Sequence, residues 1–129
     1  MDKTIGYLRI LFHIFTLFLI IISLYPGSIL GYFFYGDFKA QPQITKDFLH
    51  VSSNHIYAYF FISALGFYSY LWDRKFKLVI VYLFFLSIIL EILHLVIPER
   101  TFQISDLIGN ILGVLITYIV VLIYKFWRK

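Results

Sequence analysis

At 129 residues the chain has room for one domain, and 61% of it is apolar, 22% aromatic and only 14% charged. A water-soluble fold of this length leaves too much surface wet to hide such an apolar share, which excludes a soluble enzyme or scaffold and makes lipid the expected solvent. The net charge of +4 sits in short basic clusters between apolar runs rather than in a stripe, which argues against nucleic acid as a partner, and the lack of cysteine excludes disulfides, thiolate metal sites and a cysteine nucleophile.

The first apolar run, Ile5 to Tyr25, is broken only by Arg9 and His13 and stops at Pro26-Gly27. A cleaved signal sequence needs small residues before its cut site, and Ser23-Leu24-Tyr25 places bulky ones there, so the run is expected to stay as a helix. The longest connection follows, Pro26 to His55. Its aromatic part, Ile29 to Phe38, is too short to cross a bilayer and is expected to lie flat in the outer interface. Ile56 to Trp72 carries no charge, Leu78 to Ile97 carries only Glu91 and His94, and Leu107 to Tyr124 holds one strongly polar residue, Asn110. Each run is near the roughly 20 residues needed to cross a hydrocarbon core about 30 Å thick.

The pattern predicts an all-α, integral membrane four-helix bundle, with spans at about 5–25, 56–72, 78–97 and 107–124. One side of the spans carries Lys3, Arg9, Arg74, Lys75, Lys77, Lys125, Arg128 and Lys129, whereas the other carries Lys39, Lys46 and Arg100. Basic residues favour the cytoplasmic side, so both termini are expected inside and the chain is expected to be multi-pass in the plasma membrane. Tyr25, Trp72, Tyr124 and Trp127 suit the headgroup level at the span ends.

Polar residues within spans are costly in lipid, so they carry the most information. Glu91 stands six residues from the expected outer end of the third span, roughly 9 Å deep, and His94 shares its helix face. Asn110, flanked by Gly109 and Gly113, lies roughly 5 Å inside the fourth span. His55 and Tyr59, four apart on one face, open the second span from the same side. The loop Pro98 to Asp106 adds Glu99, Arg100 and Asp106 above them. A bundle therefore gathers His55, Tyr59, Glu91, His94, Arg100, Asp106 and Asn110 into one cluster near the extracytoplasmic surface.

Packing alone offers a second account of each residue. Glu91 can be a neutral core residue or the partner of Arg100, and the two histidines can be hydrogen-bonded packing residues. Asp106 can cap the fourth helix, and Tyr59 can belong to the aromatic belt. Gly109-x-x-x-Gly113 is expected to let a neighbouring helix approach closely.

From His55 to the C-terminus the chain resembles the VanZ-like family of small membrane proteins. The resemblance rests on His55-Ile-Tyr-Ala-Tyr59, Glu91-Ile-Leu-His94, Pro98-Glu-Arg100 and Asp106-Leu-Ile-Gly-Asn110-Ile-Leu-Gly113. Two positions depart from the family pattern: His94 stands where it has Gln, and Val51-Ser52 where it often has Asp-Lys. The founding member is associated with resistance to the glycopeptide teicoplanin, so the resemblance implies a cell-envelope role without supplying a reaction.

Three functions fit these residues. The first is a non-enzymatic envelope protein that binds an anionic lipid or lipid-linked cell-wall precursor, with Arg100 gripping a phosphate or carboxylate while His55 and Asn110 donate hydrogen bonds. In that reading Glu91 and Asp106 hold Arg100 in place. The second is an enzyme acting on such a lipid, with Glu91 or His94 as general acid or base. No Gly-x-Ser-x-Gly elbow accompanies Ser53 or Ser105, which counts against a serine hydrolase. The third is metal binding. Di-iron bundles use two Glu-x-x-His motifs and this chain has one, so no metal or other cofactor is expected, although a single-ion site adding His55 and Asp106 is an alternative. Transport needs a homo-oligomer, since four helices enclose little room.

Overall fold

The computed structural model describes Asp2 to Arg128; Met1 and Lys129, the latter one of the basic residues counted above, lie outside the described residues. The helices in chain order are α1 Lys3–Leu24, α2 Ile29–Tyr35, α3 Ser53–Ser69, α4 Phe76–Leu93 and α5 Ile104–Trp127. No strand occurs among the described residues, only an isolated bridge between Phe48 and Val51.

The ends of these helices have local causes. The Asp2 carboxylate accepts a hydrogen bond from the Thr4 N–H at 3.2 Å, and α1 stops where Pro26 cannot continue it. The Ser28 hydroxyl accepts from the Gly31 N–H at 2.9 Å to start α2, and Gly36, with φ of 68°, ends it in the left-handed conformation. At the start of α3 the cap comes from outside the helix, because Asp47 Oδ1 accepts from the Ser53 N–H at 3.1 Å. Asn54 ties the preceding loop down, donating to the Pro42 carbonyl at 2.6 Å and accepting from the Ile44 N–H at 2.9 Å.

Helices α1, α4 and α5 are long and apolar enough to cross a membrane. Helix α3, with 17 residues, reaches about 25 Å and falls just short of a full hydrocarbon core. Contacts run from α1 to α3, from α3 to α5, from α5 to α4 and from α4 back to α1, with α3 also touching α4. The most extensive contact, α3 on α5, has a simple origin. A Cβ on Gly113 would lie 2.7 Å from the Ile56 carbonyl oxygen, and one on Gly109 would lie 2.7 Å from that of Ser52. Two glycines one helical turn apart thus let the backbones touch. Gly66 does the same for a side chain, leaving room for the buried ring of Phe12.

The surface has the polarity of a chain dissolved in lipid. Phe18, Phe61, Leu78, Val81, Phe85, Val120 and Ile123 are exposed, whereas Thr16, Ser63, Ser69, Ser87, Glu91, Asn110 and Thr117 are buried. Four of the buried hydroxyls satisfy themselves within their own helix: Thr16 donates to the Phe12 carbonyl, Ser69 to Gly66, Ser87 to Phe84 and Thr117 to Gly113. Helix α2 presents Phe33, Phe34 and Tyr35 outward, and Phe38 beyond it stacks on Tyr32 with ring centres 4.3 Å apart.

Candidate functional site

The loop-bearing end of the helices, where α1 and α4 finish and α3 and α5 begin, gathers the polar residues singled out in the sequence. Glu91 is 1% exposed. One of its oxygens, Oε1, accepts from the backbone N–H of Gln103 at 3.0 Å, and the other, Oε2, stands 3.2 Å from His94 Nδ1 without hydrogen-bond geometry. Helix α4 ends at Leu93, so Glu91 lies in its last turn rather than six residues from the end of a span. Its burial comes from the loop that folds over it, not from depth in the helix.

His94 caps α4 and is buried, with Nε2 3.0 Å from the Ser23 carbonyl and 3.3 Å from the Ser23 hydroxyl. A carbonyl accepts only, so Nε2 carries the proton, and Nδ1 then faces the Glu91 carboxyl.

Asn110 is 2% exposed and fixes the next histidine. Its amide nitrogen donates to the Ser87 carbonyl at 3.1 Å, which turns Oδ1 towards His55. His55 Nδ1 therefore donates to that oxygen at 2.7 Å, and Nε2 is directed to Asp106 Oδ2 at 3.5 Å. The Ser105 hydroxyl donates to the other Asp106 oxygen at 3.3 Å. Tyr59, one turn below His55, is buried and donates to the Leu86 carbonyl at 3.4 Å. Gly109 and Gly113 face Ser52, His55, Ile56 and Tyr59, so the close approach of α5 to α3 is what brings Asn110 within reach of His55.

Arg100 is placed differently from the sequence reading. Instead of pairing with Glu91 and Asp106, it donates from Nε to the Tyr25 carbonyl at 3.1 Å and from Nη2 to the Ile22 carbonyl at 2.6 Å. It thereby caps the last turn of α1, where free carbonyls and the helix dipole attract a cation. Among the described residues the ion pairs are Arg9–Asp73, His55–Asp106 and His94–Glu91, so Glu91 and Asp106 each face a histidine rather than Arg100. Burial pulls the Arg100 guanidinium down from its ordinary value while the charges of Glu91 and Asp106 pull it back up. Its second terminal nitrogen, Nη1, has no partner among the described residues.

Two cavities meet over this cluster. One, of about 300 Å³, lies between α1 and α3; Phe15, Phe18, Leu19, Ile22 and Ile62 line its lower part, and His55, His94, Arg100 and Asn110 its head. The other, of about 260 Å³, is lined by polar residues that include Gln43, Asp47, Glu99, Thr101, Gln103 and Asp106. Gln41, Pro42, Asn54, His55, His94 and Arg100 border both. The outline is amphipathic, with an apolar slot below and a polar vestibule above, and it is large enough for a headgroup and the start of an acyl chain.

Several participants were not singled out in the sequence. Ser87 stands one turn before Glu91 on the same face, a spacing that offered a signal. Ser23, and the backbone groups of Gln103, Ile22 and Tyr25, give none, because their roles come from where loops and helix ends fall.

Apolar outward faces, buried polar groups and an amphipathic slot capped by histidines, acids and one arginine define a small all-helical membrane protein. The chain belongs to the VanZ/LLP1 family, whose family model matches residues 10–127 and so takes in α1 as well as the second half. No curated protein and no solved structure matches it significantly.

Proposed function

We propose that this is a multi-pass protein of the plasma membrane that binds an anionic lipid, or a lipid-linked cell-wall precursor, in the slot between α1 and α3. The observation that carries the reading is the shared border of the two cavities, where His55, His94 and Arg100 stand between an apolar and a polar compartment. A lipid chain suits the phenylalanines of the lower part, and a phosphate or carboxylate suits the free guanidinium nitrogen of Arg100 with the amide of Asn54 nearby. In this orientation all four long helices cross the bilayer as a bundle, both termini are cytoplasmic, and the vestibule opens outside, as the basic residues of the loops favour. Reporter fusions between Gln41 and Lys46 should read external and those between Asp73 and Lys77 cytoplasmic. Membership of the VanZ/LLP1 family supports a cell-envelope role, and altered teicoplanin sensitivity on deletion is part of the proposal.

Photo-crosslinking tests the reading. An anionic phospholipid with a diazirine in its acyl chain should label Phe18, Ile22 and Ile62 in purified protein, and a zwitterionic one should label them far less. Equal labelling of these positions and of the lipid-facing Val120 side would refute it. A second reading, an enzyme on the same lipid, is favoured by the Glu91–His94 contact, since a carboxyl and an imidazole 3.2 Å apart beside a cavity can serve as general acid or base. Lipid profiles of deletion cells separate the two: a changed species indicates turnover, and an unchanged pool with altered antibiotic sensitivity indicates binding.

A further inference from the structure

We propose that His55, Glu91 and Asp106 form a binding site for one divalent first-row cation of the Zn²⁺ or Mn²⁺ type. A ring nitrogen of His55 and one carboxylate oxygen from each acid lie within 4.8 Å of one another. In each residue one polar atom is tied and the other left available. His55 Nδ1 donates to Asn110, which leaves the Nε2 lone pair turned towards Asp106. Glu91 Oε1 accepts from the Gln103 N–H, while Oε2, fully buried and 3.2 Å from His94 Nδ1, has no hydrogen-bond partner. Asp106 Oδ1 accepts from the Ser105 hydroxyl, while Oδ2 faces His55.

This is the arrangement that orients metal ligands: an outer partner fixes each side chain through the atom that does not bind the ion. Metal–ligand bonds of about 2.0–2.2 Å in tetrahedral geometry place ligand atoms about 3.3–3.6 Å apart. His55 Nε2 and Asp106 Oδ2, 3.5 Å apart, already have that spacing, and the Glu91 carboxylate has to close by up to about an ångström to complete the set. One imidazole with two carboxylates suits Zn²⁺ or Mn²⁺ better than a soft ion. A cation also supplies the positive charge that a buried carboxylate needs and that Arg100, engaged on α1, does not bring into contact. His55 and Asp106 line the polar vestibule, which gives the ion an entry path and leaves its open positions facing that cavity. There it would meet the headgroup gripped by Arg100, a role that rests on the lipid-binding reading, whereas the ion site stands without it.

The test uses the metal alone. Full-length protein in nanodiscs, stripped with chelator, is titrated with Zn²⁺ and separately with Mn²⁺, and bound metal is counted by elemental mass spectrometry. One ion per chain is expected with at least one of the two. His55→Gln, Glu91→Gln and Asp106→Asn should each weaken binding by at least about tenfold, and His94→Gln by less, because His94 supports Glu91 and is not a ligand. Absence of bound ion in folded wild-type protein, or unchanged affinity in His55→Gln, overturns the proposal. Should the acid variants fail to fold, the thermal midpoint still decides. A rise with added metal in wild type and none in His55→Gln supports the site, and an equal rise in both overturns it.

Discussion

The two ends of the helices both gather polar side chains, half-buried at one and buried at the other, yet they use them in opposite ways. At the end bearing the termini, Arg9 donates to the Ser69 carbonyl at 3.1 Å and to Asp73 at 2.7 Å, and its guanidinium lies 4.4 Å from the centre of the Tyr70 ring. Tyr70 in turn meets His13 at 3.0 Å. These contacts join α1 to the turn between α3 and α4, and no cavity borders them among those described. At the opposite end a buried carboxylate oxygen has no hydrogen bond, two histidines present ring nitrogens to acids, and two cavities converge. Saturated polar contacts fasten helices together, whereas unfilled capacity beside a cavity is what a ligand can use.

The largest expected effect belongs to neither cluster but to the seam that creates one of them. Gly113→Leu should reduce membrane abundance severely, since even a Cβ there would lie 2.7 Å from the Ile56 carbonyl oxygen and 2.8 Å from the Phe60 nitrogen. Gly113→Ala is expected to cost about 1–3 kcal/mol through overpacking against backbone that cannot swing aside. Immunoblotting of membranes and thermal denaturation in detergent measure the two. Normal abundance of Gly113→Leu would mean that α3 and α5 do not touch as described, and the path from Asn110 to His55 would fall with it.

Next come substitutions that separate the ends by readout. Asn110→Leu and Glu91→Gln should leave abundance near normal and lower anionic-lipid binding by at least about tenfold, because Asn110 holds the His55 ring in place and Glu91 holds the loop through the Gln103 N–H, and about 1.4 kcal/mol of lost binding is tenfold. Arg9→Ala should do the reverse, lowering the thermal midpoint by several degrees without changing lipid binding. Arg100→Lys is expected to fall between the two. An ammonium cannot hold two α1 carbonyls and a headgroup with one planar fork, so binding should drop and stability should fall slightly.

The smallest effect is a pH dependence at the Arg9 end. The Lys75 backbone N–H, together with Arg9, holds the Asp73 carboxyl below the usual carboxylate range. A depressed folded-state value contributes stability that is present above the ordinary value and is lost as pH falls through the lowered one. The difference in thermal midpoint between wild type and Asp73→Asn should therefore stay constant from about pH 8 to 6 and close below about pH 4. A difference that widens on acidification would show that Asp73 is not the paired group.

Much of this contrast was legible in the residues, and the remainder was hidden for physical reasons. Apolar run lengths located the long helices because lipid enforces continuous backbone hydrogen bonding, and the spacing of His55, Tyr59, Glu91, His94, Asp106 and Asn110 showed that they would share one level. Helix ends were less visible. The start of α3 at Ser53 depends on Asp47 across a loop, and the end of α4 at Leu93 precedes Pro98 by more than a proline alone requires. The partner of Arg100 was misread because charge suggested the acids, whereas the free carbonyls of Ile22 and Tyr25 at the end of α1 leave no trace in side-chain chemistry. Arg9 was visible only as a cationic interruption of an apolar run; its partner Asp73 lies 64 positions away, and nothing local links them.

The most direct test of the contrast is lipid occupancy by native mass spectrometry, on wild type, Arg9→Ala and His55→Ala purified in the same detergent. Wild type and Arg9→Ala should both retain one anionic lipid per chain, although Arg9→Ala unfolds at lower temperature, and His55→Ala should lose that lipid while keeping its fold. Equal occupancy in all three, or equal loss in both variants, would contradict the assignment of fastening to one end and ligand binding to the other.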